Sequence, residues 1–285
     1  MKRAIKILSF ALVLIITLLW RLPACAKYYG YGTIREFMIF YTVHKEWRSE
    51  EITTKHFRVR FMPGNQAEAE LVLEAAEHFY SPVTADFRFS PRTKIPIILY
   101  SSRETLNKSF GWDAKENAMG VYWAGTIRVV SPLTWADDND AGKLKEIFFS
   151  SGPMAHELTH LVVDYLTGGN YPRWFTEGVA QYEEYKLTGY IVKGAAGSLR
   201  QRHYSIGELT TDFDKLPDQT LAYGESLAAV QYIVQNFGED ILLELIHKLG
   251  EGYSLSYAME NSMGINLQVF EERWQEWHAP PLLER

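Results

Sequence analysis

The chain carries a single cysteine, Cys25, among 285 residues. One thiol excludes an intramolecular disulfide, and its position near the N-terminus leaves the rest of the chain without a thiolate nucleophile or a sulfur ligand for a metal. Disulfide-free export fits a bacterial cell-surface protein better than a small stapled secreted domain. Clustered positive charge is equally scarce. Beyond the first residues no run of Lys or Arg exceeds two, and the formal charge is -6, so a nucleic-acid surface is excluded. No repeat or low-complexity tract is present, which rules out a solenoid or a disordered linker array. The acidic "DDND" at 137–140 lacks the alternating oxygen ligands and the glycine of a calcium loop, and reads as a solvated loop.

The one long apolar run, Ile7 to Trp20, follows Lys2, Arg3 and Lys6. That is the build of an export signal, although the run is shorter than the ~20 residues that cross a bilayer comfortably. "ACA" at 24–26 offers a cleavage pattern, and "LPAC" at 22–25 loosely resembles a lipoprotein box. Residues 1–26 are therefore expected to be a signal peptide or a membrane anchor, held by the run itself or by lipid on Cys25, with release after Ala26 as the alternative. Residues 27–52, rich in aromatics, read as a membrane-proximal lead-in. The expected location is extracytoplasmic, anchored or secreted.

Hydrophobic residues make up 47% of the chain, enough for one well-cored domain, here placed at 53–280. "KHFRVRF" at 55–61 alternates Phe57, Val59 and Phe61 with charged neighbours, the signature of a half-buried strand. Pro63 and Gly64 stop it, Asn65 is placed to cap a following helix, and "KIPIILY" at 94–100 reads as a buried strand. "VYWAGTIRVVS" at 121–131 is a third strand, either an edge strand along which an extended peptide could lie or an internal one. Helical periodicity then dominates at 144–150, 153–167, 173–187, 224–237, 239–249 and 267–277. Strands first and helices afterwards make the fold class α+β.

Chemistry concentrates at "MAHELTHLVVDYL", residues 154–166. Pro153 and the Gly168–Gly169 pair bracket this segment as a helix. On it His156 and His160 stand one turn apart on the same face, so two imidazoles can reach one ion. Glu157 lies about 100° round the helix from His156, within reach of a water on that ion. The H-E-x-x-H spacing arises by chance about once in fifty chains of this composition, so a third ligand is the deciding feature. Asp164 is too far along the helix to serve. The extended metzincin pattern is excluded, because Val163 and Leu166 occupy its glycine and histidine positions. "YPRWFTEGVAQYEEY" at 171–185 supplies the candidate: Pro172 opens a second helix, and an antiparallel return brings Glu177 over the histidines. Gly178 would let the two helices approach closely, while Glu183 and Glu184 read as the solvated face.

"HELTH" followed by "WFTEGVA" resembles the gluzincin metallopeptidases, the thermolysin-like group, and most closely the peptidase MA-like domains of bacterial surface proteins. The resemblance covers residues 144–187 well and the flanking segments loosely. It implies a zincin-like domain, with His156, His160 and Glu177 as Zn2+ ligands and Glu157 as the catalytic base. It also points to Tyr223 as donor to the oxyanion; apart from the resemblance, His203 in "LRQRHYS" is a weaker candidate. Where such enzymes carry an aspartate four residues after the ligand glutamate, this chain has Gln181, a weaker partner for an imidazole. Asp164 is then a candidate partner of a ligating histidine.

Three protein ligands leave a position for water, as in catalytic zinc sites. The expected function is that of a zinc peptidase acting on a peptide or protein substrate. The rival is an inactive peptidase-like module that binds peptide or wall material in the cell envelope, against which the retained Glu157 argues.

Overall fold

The computed structural model describes residues 24–45, 49–113, 116–134, 141–191 and 204–277. The leader residues 1–23, the acidic run at 137–140 and His203 lie outside these. Among the described residues no helix is long and apolar enough to cross a membrane.

Five strands form one mixed sheet: β1 (Glu50–Thr53), β2 (Phe57–Phe61), β3 (Ile95–Tyr100), β4 (Gly120–Trp123) and β5 (Thr126–Val130), in the order β1-β2-β3-β5-β4. The three central strands are parallel, and β1 and β4 are antiparallel edges. The alternation expected at 57–61 holds, since Phe57, Val59 and Phe61 are buried and Arg58 and Arg60 are only partly covered. On that inner face the sheet meets two helices, α2 (Gln66–Asp86) and the motif-bearing α5 (Met154–Thr167), and their apolar side chains share one core.

The expected third strand is two strands. Ala124 and Gly125 take positive φ angles of 47° and 84°, a two-residue hairpin turn that reverses the chain between Trp123 and Thr126. Such turns ordinarily announce themselves by Asn-Gly or Asp-Gly, and Ala-Gly does not. The segment thus divides into an edge and an interior: β4 is an edge strand, and β5 is internal and fully buried.

The opposite face of the sheet is covered by α3 (Arg103–Phe110) and by α1 (Ala24–Lys45). Arg128 of β5 stacks on the ring of Phe110, its guanidinium carbon 4.5 Å from the centroid, and donates to Thr42 of α1. Thus α1 runs across Ala26, where the leader was expected to end, and packs on the domain.

The helical half comprises α4 (Ala141–Ser151), α5, α6 (Arg173–Thr188), α7 (Ile206–Thr211), α8 (Gln219–Phe237), α9 (Glu239–Gly250), α10 (Leu255–Met263) and α11 (Leu267–Glu276). Gly168, in the left-handed region at φ 61°, ends α5 with its N–H on the Asp164 carbonyl. Pro172 opens α6 after the turn. Gly178 does permit a close approach, but to a different helix than expected. A Cβ there would lie 2.2 Å from the Ser226 carbonyl of α8.

Candidate metal centre

The antiparallel return of α6 over α5 brings three ligand atoms together. The Nε2 atoms of His156 and His160 are 3.0 Å apart. Oε2 of Glu177 lies 3.5 Å from the first and 3.4 Å from the second. Four-coordinate zinc with bonds of about 2.0–2.1 Å requires ligand atoms about 3.3–3.4 Å apart, so this triangle already has the size of one face of a zinc tetrahedron. Among the described residues this is the one group of three or more His, Cys, Asp or Glu side chains close enough to hold an ion.

Each imidazole is fixed from behind. Nδ1 of His160 shares a hydrogen bond of 2.8 Å with Thr176 Oγ1, and Nδ1 of His156 one of 3.1 Å with Glu184 Oε2. Both rings therefore present Nε2 to the centre. Glu184 was expected on a solvated face; it is buried. Seven residues beyond Glu177, it shares that residue's side of α6, which turns inward because α8 and α5 pack around it. Glu183 is buried as well, against Lys186 and Asp86. Gln181 does not meet an imidazole. Its amide donates to the carbonyls of Glu177 and Tyr223, tying α6 to α8. The carboxylate partner of His156 thus comes from a different position than the one the family pattern pointed to. The heptad spacing of Glu177 and Glu184 was the available signal.

Electrostatics follow from burial. Burial disfavours an imidazolium at His156, but its hydrogen bonds to Glu177 and Glu184 outweigh this and push its pKa well up. Burial likewise opposes ionisation of Glu177, yet the two histidines hold it far below the usual carboxylate range. Glu157 goes the other way: burial first, then the charge of Glu177, raises its pKa against the pull of the histidines. Two neighbouring glutamates are thereby driven apart in acidity, Glu177 downwards and Glu157 upwards.

Glu157 is also tied to the sheet edge, where its Oε2 accepts the backbone N–H of Tyr122 at 2.5 Å. Met119 accepts from Val130 across the hairpin, and the antiparallel alternation then turns the backbone groups of Gly120 and Tyr122 away from β5, the Tyr122 N–H ending on Glu157. At Gly120 a Cβ would lie 2.6 Å from Pro153 and 3.0 Å from Glu157, so only glycine lets the edge come this close.

Tyr223 stands in the second turn of α8. Burial and the nearby charge of Glu177 push its pKa up to about 12, so the hydroxyl keeps its proton. Its oxygen accepts from Arg173, which also pairs with Glu177 at 3.4 Å and with Asp214 at 3.0 Å. Arg173 went unread in the sequence. Of the other histidines, His44 and His56 spend a ring nitrogen on the Phe40 carbonyl and on Glu77, away from the centre.

Asp164 is fully buried but bonds to neither His156 nor His160. It collects donors instead: Tyr31 at 2.6 Å, Tyr122 at 2.7 Å, Arg35 at 3.0 Å and Tyr171 at 3.3 Å. One carboxylate on α5 thus holds α1, the edge strand and the turn before α6.

A sequence profile of the Peptidase MA superfamily matches residues 140–279. This half of the chain is a peptidase MA domain. Its match begins beside α4 and spans the metal centre and the helices behind it; the sheet and α1 precede it. No curated protein matches the sequence. Among solved structures the chain is similar to an M1 zinc metallopeptidase from Deinococcus radiodurans, solved as a point mutant, at 12% identity and a TM-score of 0.43. That alignment covers 84% of this chain and 54% of the other, so the chain spans about half of its length. The chain as a whole has the mixed sheet and helical half expected of a zincin-like α+β protein, the sheet lying ahead of the matched residues.

Proposed function

We propose that this chain is a zinc-dependent peptidase that works outside the cytoplasmic membrane. The observation that carries the reading is the convergence of His156, His160 and Glu177 on one point with Glu157 buried beside them. The ligand set, two imidazole nitrogens and one carboxylate, is that of catalytic zinc. When bound there, zinc would polarise the scissile carbonyl and acidify a water.

The chain's own residues do the rest. An extended peptide pairs with the Gly120 backbone and the Tyr122 carbonyl along β4, which lays its carbonyl beside the centre. Glu157, held by the Tyr122 N–H and made a stronger base by its burial, takes a proton from the attacking water and passes it to the leaving nitrogen. Tyr223, a protonated phenol polarised by Arg173, donates to the oxyanion. Thr176 and Glu184 keep the two rings aimed.

The test is a peptide-library digest by the purified chain, with and without chelator, alongside its zinc content. One zinc per chain and chelator-sensitive cleavage are expected. Glu157→Gln should retain zinc and lose ~10²- to 10⁴-fold in hydrolysis. Equal turnover by both forms would remove Glu157 from the role of base, and a chain without stoichiometric zinc would end the reading.

A further inference from the structure

Helix α1 is covered along one side only. Arg35, Ile39, Thr42 and Val43 are buried against the domain. Arg35 pairs with Asp164, Ile39 sits against Gly125, and the Val43 carbonyl accepts from Arg60. The outward arc holds Ile34, Phe37, Phe40 and Tyr41, which are 62, 62, 60 and 52% exposed. Thr33, Glu36 and His44 share it, and Glu36 is its one acidic or strongly basic side chain among those described. A helix face turned to water ordinarily carries the charges and buries the apolar stripe. Here Arg35 is inside and the aromatic rings are outside.

What precedes α1 in the sequence bears on what covers this arc. The uncharged run Ile7–Trp20, behind Lys2, Arg3 and Lys6, is separated from Ala24 by three residues. A segment of that composition partitions into hydrocarbon, and three residues extend at most about 11 Å, so α1 begins within the surface layer of any bilayer that takes up the run. We propose that α1 is an interfacial helix, lying with Ile34, Phe37, Phe40 and Tyr41 in the headgroup layer of a lipid bilayer. Aromatic rings are favoured at this depth, and an amphipathic helix immerses its apolar face by about 5–10 Å. Because Asp164 clamps α1 to the helix that carries His156 and His160, the immersed face also fixes how the metal centre stands over the membrane. The inference rests on the chain being held at a membrane by its N-terminal run; it does not depend on hydrolysis.

The test uses the full chain with Cys25→Ser, reconstituted into vesicles of phosphatidylethanolamine and phosphatidylglycerol, with an environment-sensitive fluorophore on Phe37→Cys, Tyr41→Cys or Asp240→Cys. All three positions are exposed in the protein, so the substitutions leave the core intact. Labels at 37 and 41 are expected to shift to the blue, to be quenched by spin-labelled lipid and to be several-fold less open to aqueous iodide than the label at 240. Equal iodide access at all three positions overturns the proposal. So does shielding from iodide without quenching by lipid, which would mean that protein, such as a second copy of the chain, covers the arc. A chain that fails to float with the vesicles overturns both this inference and the anchorage beneath it, whereas loss of peptidase activity alone touches neither.

Discussion

At the residue scale the centre is set by which groups stand behind the ligands. Glu184 gives His156 a carboxylate partner at 3.1 Å, which fixes the ring and raises its basicity as a ligand. Losing such a partner typically costs 10- to 100-fold in metal affinity, so Glu184→Gln is expected to raise the zinc dissociation constant about that much in a chelator competition. Activity at saturating zinc should fall less. Glu183, the adjacent residue, makes a pH-dependent contribution. Burial, then a hydrogen bond with Asp86, pushes its pKa up to about 8, against the attraction of Lys186. The folded chain therefore binds a proton that the unfolded chain has released above its ordinary value of 4.5. Where the native state holds more protons, stability falls as pH rises. Between about pH 5 and 8 the melting temperature of Glu183→Gln minus that of the parent should accordingly rise with pH, and a difference that stays constant or falls would contradict the assignment.

At the scale of elements the decisive contact is between the sheet edge and the motif-bearing helix. Gly120 has no room for a Cβ beside Pro153 and Glu157. Gly120→Ala must push β4 away from α5, lengthening the Tyr122 N–H to Glu157 bond. Because overpacking at such a point typically costs about 1–3 kcal/mol, a lowered melting temperature is expected, and hydrolysis should fall by more than the lost folded fraction explains. The hairpin that makes this edge was not legible in the sequence. Ala124 and Gly125 give a weak turn signal, and the apolar residues on both sides read as one continuous strand. By contrast α5 and α6 were legible nearly to their ends, because proline and glycine punctuate both and their apolar spacing is regular.

Over the whole molecule, Asp164 joins α1, β4, α5 and the turn before α6. Burial and the Asp164 charge raise the hydroxyl pKa values of Tyr31, Tyr122 and Tyr171, so all three remain donors to that carboxylate. Asp164→Ala would leave Arg35 buried without its counter-charge and three phenols without an acceptor. Breaking a buried pair of this kind costs roughly 3–5 kcal/mol, measurable as a lower denaturant midpoint. Local proteolysis should then begin at α1, the element that Asp164 holds by two of its four donors.

Local pattern alone determined the paired imidazoles, the neighbouring glutamate and the helix with the third candidate ligand, because i, i+4 spacing and helix punctuation act within one or two turns. Whether Glu177 met the histidines, which carboxylate backed His156 and what Asp164 held were decided only by tertiary packing. Those contacts depend on how α6 rotates between α5 and α8. That rotation is set by close approaches such as Gly178 against the Ser226 carbonyl, which a one-dimensional pattern does not record.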